Sequence, residues 1–165
     1  MRPSGPSNTD AAPIDYARNV KIAMASDHAG FELKETVKSW LEAEGHEVED
    51  VGTFSEESTD YPPFAAQAAR LVSGGRAEMG VLVCGSGNGV AITANKVPGI
   101  RAVNAHDVSE AEMARRHNDA NVVTLAGRRL DPEVAERIVE TFLSTSFEGG
   151  RHERRIDEIT EIEQG

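Results

Sequence analysis

A glycine-rich turn in the middle of the chain carries the residues best suited to chemistry. The run Cys84 to Gly89 reads CGSGNG and lies between an apolar stretch and a helical one. Glycines let a backbone turn tightly and aim successive N–H groups at one point, and a helix N-terminus adds positive charge. The turn therefore predicts a site for a bound or developing anion. The alternative is that its glycines only allow close packing of strand and helix.

The turn does not match the better-known glycine motifs. A dinucleotide-binding fingerprint would need a third glycine where Val90 stands, and the Gly-Lys-Ser/Thr of a nucleotide-hydrolase loop is missing from the turn. A nucleophile elbow centred on Ser86 would need glycines in place of Cys84 and Asn88. A cysteine-phosphatase loop would place an arginine at the position of Val90. The chemistry must therefore be inferred from the residue types themselves.

Two side chains of the turn could act on a substrate. Cys84 is the one cysteine of the chain, and the glycine turn and helix N-terminus beside it favour the thiolate, which is the reactive form. A lone cysteine at the end of a buried strand is otherwise typical of an inert hydrophobic residue. The Ser86 hydroxyl is expected either to cap the following helix or to contact a substrate oxygen near the thiol.

Two further segments combine titratable and polar residues. Asp27 and His28 follow the first predicted strand, and Asp27 could also cap the next helix. His117 and Asn118 end a predicted helix, where a histidine also suits the helix dipole and an asparagine suits a turn. Each segment therefore supplies candidate functional residues, with a local structural role as the alternative.

Two arginines late in the chain suit phosphate binding. Arg151 and Arg155 are four residues apart and so share one face of a helix, where two guanidinium groups could grip one phosphate. The alternative is a solvent-exposed basic patch paired with nearby carboxylates. No His/Cys cluster in the sequence has the spacing of a zinc site, so we expect no metal.

The elements that must position these residues alternate between strand and helix. Apolar or alternating runs predict five strands, at residues 20–26, 46–51, 79–83, 100–104 and 122–125. Helical spacing predicts a helix after each strand and a charged helix over 151–163. This order is typical of an α/β fold, a three-layer α/β/α sandwich with a five-stranded parallel, Rossmann-like sheet. Ligands of such sheets bind beyond the carboxyl ends of the strands, where Asp27, the Cys84 turn and Asn104 would lie.

Four residues are expected to punctuate the helices. Gly45 suits the end of the first helix, and Asp60 and Asp131 suit N-caps next to prolines. Ser109 is predicted to cap a helix over 109–116.

Length and composition bound the class of protein. The chain has 165 residues, enough for one domain over 19–165 after a flexible, Pro- and Ser-rich tail over 1–18. Lys and Arg number 17 against 28 Asp and Glu, so a net charge of −11 excludes a general nucleic-acid binder. No apolar run is long enough to cross a membrane and no signal peptide is visible, so we expect a cytoplasmic protein.

Taken together, these segments resemble the type B ribose-5-phosphate isomerases of the ribose/galactose sugar-phosphate isomerase family. The resemblance extends over about residues 20–163 and rests on these runs: Ser26 to Gly30, Thr59 to Pro62, Cys84 to Gly87, Ala94 to Lys96, Gly99 to Ala102, His117 to Asn121 and Gly149 to His152. It implies interconversion of ribose 5-phosphate and ribulose 5-phosphate without metal or organic cofactor.

The resemblance also implies roles for single residues. Cys84 matches the family's catalytic base, Ser86 a group at the substrate oxygens, and His117 with Asp27 the groups that open the furanose ring. Residues matching the family's phosphate and sugar contacts are His28, Tyr61, Gly85, Gly87, Asn88, Gly89, Asn118, Arg128, Arg151 and Arg155. Some members use a Glu just after the glycine loop instead of the Cys. Val90 at that position agrees with the Cys-dependent branch, whereas Asn88 is common in the other.

The family resemblance leaves alternatives open. It implies a homodimer or a dimer of dimers with sites at the subunit interface, and helix 151–163 is suited to reach a neighbouring subunit. A hexose-6-phosphate isomerase acting on allose or galactose 6-phosphate is the enzymatic alternative. A non-catalytic sugar-phosphate sensor is the other, and it would need neither Cys84 nor His117.

Overall fold

The computed structural model describes residues 19–165, and the tail predicted over residues 1–18 lies outside the described residues. Five strands form one sheet: β1 (Lys21–Ser26), β2 (Glu47–Asp50), β3 (Met79–Cys84), β4 (Ala102–Asn104) and β5 (Val122–Ala126). All four strand pairs are parallel, in the order β2-β1-β3-β5-β4. The five-stranded parallel sheet predicted from the sequence is therefore confirmed, with strand ends that differ from the prediction by two residues at most.

Six helices accompany the sheet: α1 (Phe31–Ala43), α2 (Tyr61–Ser73), α3 (Asn88–Asn95), α4 (Val108–Asn118), α5 (Pro132–Ser144) and α6 (Arg151–Gln164). In the described part of the chain, no helix combines the length and apolar character needed to cross a lipid bilayer.

The helices lie on both faces of the sheet because the strands are apolar on both faces. Along β1, Ile22 and Met24 belong to a core shared with α1, α4 and α5. The alternate residues Ala23 and Ala25 belong to a second core shared with α2 and α3. Successive strand residues point to opposite faces, so one strand serves both cores. The predicted three-layer α/β/α arrangement follows.

The predicted capping residues lie at the helix ends, with one error. Asp107, not Ser109, is the N-cap of α4, and its side chain accepts a hydrogen bond from the backbone N–H of Glu110 at 2.8 Å. The prediction of Ser109 was wrong because several capping residue types stand close together there, and only the chain path decides among them. Asp60 and Asp131 occupy N-cap positions, but neither side chain makes a capping hydrogen bond.

A buried ion pair ties the segment after β2 to α1. Lys34 of α1 is fully buried, and its Nζ donates to Asp50 Oδ2 at 2.6 Å and to the Thr53 carbonyl at 2.8 Å. Asp50 ends β2, and the segment that follows it leads to Thr59 and Tyr61. Lys34 thus anchors the path of a segment that reaches the carboxyl ends of the strands.

Candidate functional site

The carboxyl ends of β1 and β3 lie side by side and form the first part of the site. Ser26 at the end of β1 pairs with Val83 of β3, so Asp27 and Cys84 emerge at the same edge of the sheet. From β1 the chain passes outward to β2 and then returns across β1 to β3. A parallel sheet opens a crevice at such a reversal of strand order, and ligands bind there.

The glycine turn folds back on the Cys84 thiol. The backbone N–H of Gly87 donates to Cys84 Sγ at 3.2 Å, and the thiol side chain is buried. The N–H of Asn88 donates to the exposed Ser86 Oγ at 3.2 Å, although Gly87, and not Ser86, is the N-cap residue of α3. An N–H donor aimed at sulfur stabilises negative charge there. The turn can therefore hold a thiolate next to the N-terminus of α3.

Two residues from neighbouring strands fix the shape of this turn. Asn104 of β4 donates from Nδ2 to the Ser86 carbonyl at 3.0 Å and to Asn88 Oδ1 at 2.7 Å. Thr124 of β5 donates to the Gly87 carbonyl at 2.8 Å. Sequence reasoning placed Asn104 at this edge without giving it a role and missed Thr124. The side chain of Asn88 is engaged in holding the turn.

Two glycines of the turn leave room for further candidate residues to lie against it. A Cβ on Gly89 would lie 2.4 Å from the Tyr61 ring, so glycine is what allows that ring to lie against the N-terminus of α3. A Cβ on Gly85 would lie 3.3 Å from two atoms of Arg128, whose backbone N–H donates to the Gly85 carbonyl. Tyr61 and the exposed Arg128 therefore lie at the Cys84 edge, where sequence reasoning had not placed them.

The segment after β1 supplies a carboxylate and an imidazole at the same edge. Asp27 is buried, and its Oδ1 accepts a hydrogen bond from the Gly30 N–H at 2.9 Å, which leaves Oδ2 for other partners. The Thr59 N–H donates to His28 Nδ1 at 3.1 Å. The same nitrogen lies 3.2 Å from the Thr59 carbonyl, to which it would donate in the other tautomer, so Thr59 holds the ring in either tautomer.

The remaining predicted residues lie at the opposite ends of the strands, their amino ends. We call this side of the sheet the amino edge. His117 and Asn118 end α4, and the chain then reaches Asn121, whose carbonyl accepts from the N–H of Gly80 near the start of β3. From Gly80 to Cys84 the strand rises by about 13 Å. Within one chain, the structure therefore does not bring His117 together with Cys84 and Asp27.

Helix α6 accompanies His117 at this amino edge. Its second residue, His152, stacks on His117 with ring centroids 4.2 Å apart and an interplanar angle of 14°. Near its end, Glu163 accepts a hydrogen bond from the N–H of Gly99, which precedes β4. Arg151 and Arg155 are exposed on the first turns of this helix, away from the Cys84 edge of their own chain.

His117, Glu148 and His152 form a cluster of groups that commonly bind transition metals. One ligand atom of each lies within 4.8 Å of the others. Sequence spacing did not reveal this cluster, because Glu148 and His152 are distant from His117 along the chain. The two imidazoles lie nearly parallel, so their nitrogen lone pairs run side by side and do not converge on one ion. The arrangement suits stacking better than shared coordination.

Comparison with known proteins agrees with this geometry. A family model described as Ribose/Galactose Isomerase matches residues 22–159. Ribose-5-phosphate isomerase B of Escherichia coli K12 is 46% identical over 144 residues, which cover 87% of this chain and 97% of that protein. The chain belongs to the ribose/galactose isomerase family. The resemblance inferred from its sequence motifs is thereby confirmed.

Solved structures of related isomerases extend the likeness to three dimensions. A ribose 5-phosphate isomerase from Thermotoga maritima is 53% identical with a TM-score of 0.86, covering 87% of this chain and 99% of that one. Ribose-5-phosphate isomerase B from Mycoplasma genitalium, solved with bound ribulose-5-phosphate, is 39% identical with a TM-score of 0.84, covering 87% and 96%. The stretch of this ribose/galactose isomerase that matches the family model includes both groups of site residues, from Asp27 to Arg155.

Proposed function

We propose that this chain interconverts ribose 5-phosphate and ribulose 5-phosphate, with Cys84 as the base. The observation that carries the mechanism is the buried Cys84 thiol, which faces a backbone N–H donor at the carboxyl end of β3. Family membership and the names of its relatives support the reaction. The reaction class is aldose–ketose isomerisation, for which the chain's own residues supply the acid–base groups.

The proton-transfer step uses Cys84 and the glycine turn. On the open-chain aldose, the Cys84 thiolate removes the proton from carbon 2, and the electron pair moves to form an enediolate with negative charge on oxygen. N–H groups of the Gly85–Gly89 backbone and the Ser86 hydroxyl stabilise that charge as it develops. The proton of the carbon 2 hydroxyl passes to the oxygen on carbon 1, and Cys84 returns its own proton to carbon 1, which gives the ketose and restores the thiolate.

Ring opening and phosphate binding, as proposed, use residues of both edges. His117 is suited to move a proton between the anomeric hydroxyl and the ring oxygen, because an imidazole exchanges protons near neutral pH. Arg151 and Arg155, with His28 and Arg128, are suited to hold the phosphate so that the reacting carbons are positioned. These groups serve one substrate only if a second copy brings its amino edge to the Cys84 edge of the first.

A homodimer therefore belongs to the proposal. In a two-fold dimer each copy gives its amino edge to the partner's site and receives the partner's in return. Exposed apolar side chains support such an interface around the edge strand β4, namely those of Ile92 on α3, Met113 on α4 and Ile162 on α6.

We also infer a cytoplasmic location, since the one cysteine is free and suited to a reducing compartment.

Replacement of the base tests the proposed function. Cys84→Ala should abolish turnover while ribose 5-phosphate still binds within a few-fold, as measured by a coupled rate assay and calorimetry. Cys84→Ser should also be poor, because an alkoxide forms far less readily than a thiolate. A Cys84→Ala enzyme that keeps more than about a tenth of the wild-type rate would rule out Cys84 as the base. Allose and galactose 6-phosphate in the same assay decide between pentose and hexose preference.

A further inference from the structure

His152 is a buried histidine that the proposed mechanism does not use. Its side chain is only 5% exposed, and its Nε2 atom has no hydrogen-bond partner among residues 19–165. Burying a polar atom without a partner is unfavourable, so burial of this ring is not explained by a hydrogen bond at Nε2. What the ring does contact is the face of another imidazole.

The stacked pair covers one face of the His117 ring. The His152 ring covers one face of the His117 ring at 4.2 Å and nearly parallel, while Glu148 Oε2 lies 3.9 Å from His117 Nε2. His117 lies in the last turn of α4, and His152 lies in the first turn of α6. The stacking contact between α4 and α6 thus sets the plane of the His117 ring. The Glu148 carboxylate, between α5 and α6, faces its edge.

Burial and the neighbouring cations favour the neutral form of His152. Burial lowers the pKa of His152 below its usual 6.5, and the neighbouring His117, Arg151 and Arg155 lower it further against the opposing effect of Glu148. A neutral ring can lie face to face on another imidazole, whereas two charged rings at this distance would repel each other.

We propose that His152 is a positioning residue, whose stacked ring holds the His117 imidazole in the plane and edge contact needed for ring opening. The proposal rests on the function proposed for His117 in the preceding section. The role needs a flat uncharged face and not a nitrogen atom. Phenylalanine at position 152 would therefore preserve it, and alanine would remove it.

The test isolates ring opening from isomerisation. In a Cys84→Ala background no proton leaves carbon 2, but an enzyme that opens and recloses the furanose still exchanges the α and β anomers of ribose 5-phosphate. Exchange spectroscopy by NMR measures that rate. Adding His152→Ala should lower the enzyme-catalysed exchange by about ten- to a hundredfold, because a small displacement of a catalytic group is costly. Adding His152→Phe should leave it within about threefold of the parent.

Two controls separate positioning from stability. His106→Ala removes an exposed histidine that contacts Glu110, and it should leave the exchange unchanged. Thermal unfolding of every variant shows whether the fold is intact. Exchange that falls in proportion to the melting temperature, or falls equally in the His152→Phe variant, overturns the positioning role.

The outcomes also separate this inference from the function on which it rests. Exchange no faster than in buffer with the Cys84→Ala parent means that His117 does not open the ring, and both proposals about His117 fall. Exchange present in that parent but unaffected by His152→Ala overturns the role of His152 alone. Loss with alanine and recovery with phenylalanine is the expected result.

Discussion

The two ends of the sheet present their site residues in opposite ways. At the carboxyl end, Cys84 faces a backbone N–H, and side chains from β4 and β5 hold the glycine turn. At the amino end, Arg151 and Arg155 stand exposed on a helix. Groups that must meet a charge developing at a fixed atom are thus built into the backbone. The groups proposed to reach a substrate in a second copy are side chains on the surface.

The sharpest test of this division mixes two inactive variants. Cys84→Ala and His117→Ala chains, inactive alone, should recover about a quarter of wild-type activity when paired by chance, because about half the dimers are mixed and each mixed dimer has one intact site. The measurement is the isomerase rate after the chains are refolded together. Mixing Cys84→Ala with Asp27→Ala is the control. Both changes lie at the carboxyl edge, so no intact site forms. Recovery in neither mixture would mean that sites are not shared between copies.

Next in size is the effect of a methyl group in the glycine turn. Gly87 has φ of +79°, and a Cβ there would lie 2.2 Å from Asn104 Oδ1, so Gly87→Ala must displace the turn and its N–H donor. Loss of one such donor lowers kcat by roughly 100- to 1,000-fold.

Gly75 provides the matched control for that substitution. Its φ of +78° is nearly the same, but nothing lies within 4 Å of its would-be Cβ. Gly75→Ala should therefore lower the melting temperature slightly and leave the rate unchanged. Equal rate losses in the two variants would show that backbone strain, and not the fixed turn, is responsible.

A smaller effect is expected at the amino end. Arg151→Ala should raise KM by about 10- to 150-fold, since a charged hydrogen bond to phosphate contributes about 1.5–3 kcal/mol. Arg154, exposed on the same helix and 3.9 Å from Glu158, is the control and should leave KM unchanged when replaced by alanine. Slow turnover of unphosphorylated ribose should survive Arg151→Ala. Equal damage to both substrates would assign Arg151 to the fold or the subunit contact.

The smallest effect concerns pH. The pKa of His152 in the folded chain lies below 6.5, because of burial first and neighbouring cations second. Between the lowered pKa of the folded chain and the ordinary pKa of about 6.5, the unfolded chain binds more protons than the folded one. The stability is therefore fully present above about pH 6.5 and is lost as the pH falls below it. Melting temperatures between about pH 7.5 and 5.5 should therefore fall less for His152→Phe than for the wild type. Identical pH slopes would contradict a neutral, buried His152.

Local patterns predicted much of the fold and the carboxyl end of the site. The apolar run of β3 and the glycines after it are contiguous in sequence, so their strand-to-helix turn could be inferred directly. Helix caps were harder: Asp107 and Ser109 are both capping residues, and only the path of the chain selects Asp107. The buried Lys34 in the apolar face of α1 was also invisible, because its partner Asp50 comes from another element.

The sequence singled out the candidate residues of the amino end, but it did not show where in the fold they lie. Nothing local in His117 or His152 shows that the two rings stack, because the contact depends on how α6 returns to α4. Sequence motifs likewise grouped His117 with Asp27, whereas the strand directions put them at opposite edges of one chain. Which residues share an edge follows from strand direction and order, which a motif does not contain.

Ionic strength should act unequally on the two ends because of the buried Lys34–Asp50 pair. That pair is 2.6 Å long with almost no solvent contact, so dissolved ions screen it little. The segment after β2 places Thr59 against His28 and Tyr61 against the glycine turn. Lys34 therefore still holds this segment in concentrated salt. The exposed arginines of α6 have no such protection, and their attraction for phosphate weakens as salt rises. A salt-rich solution would thus impair substrate capture long before it disturbed the groups that carry out the proton transfer.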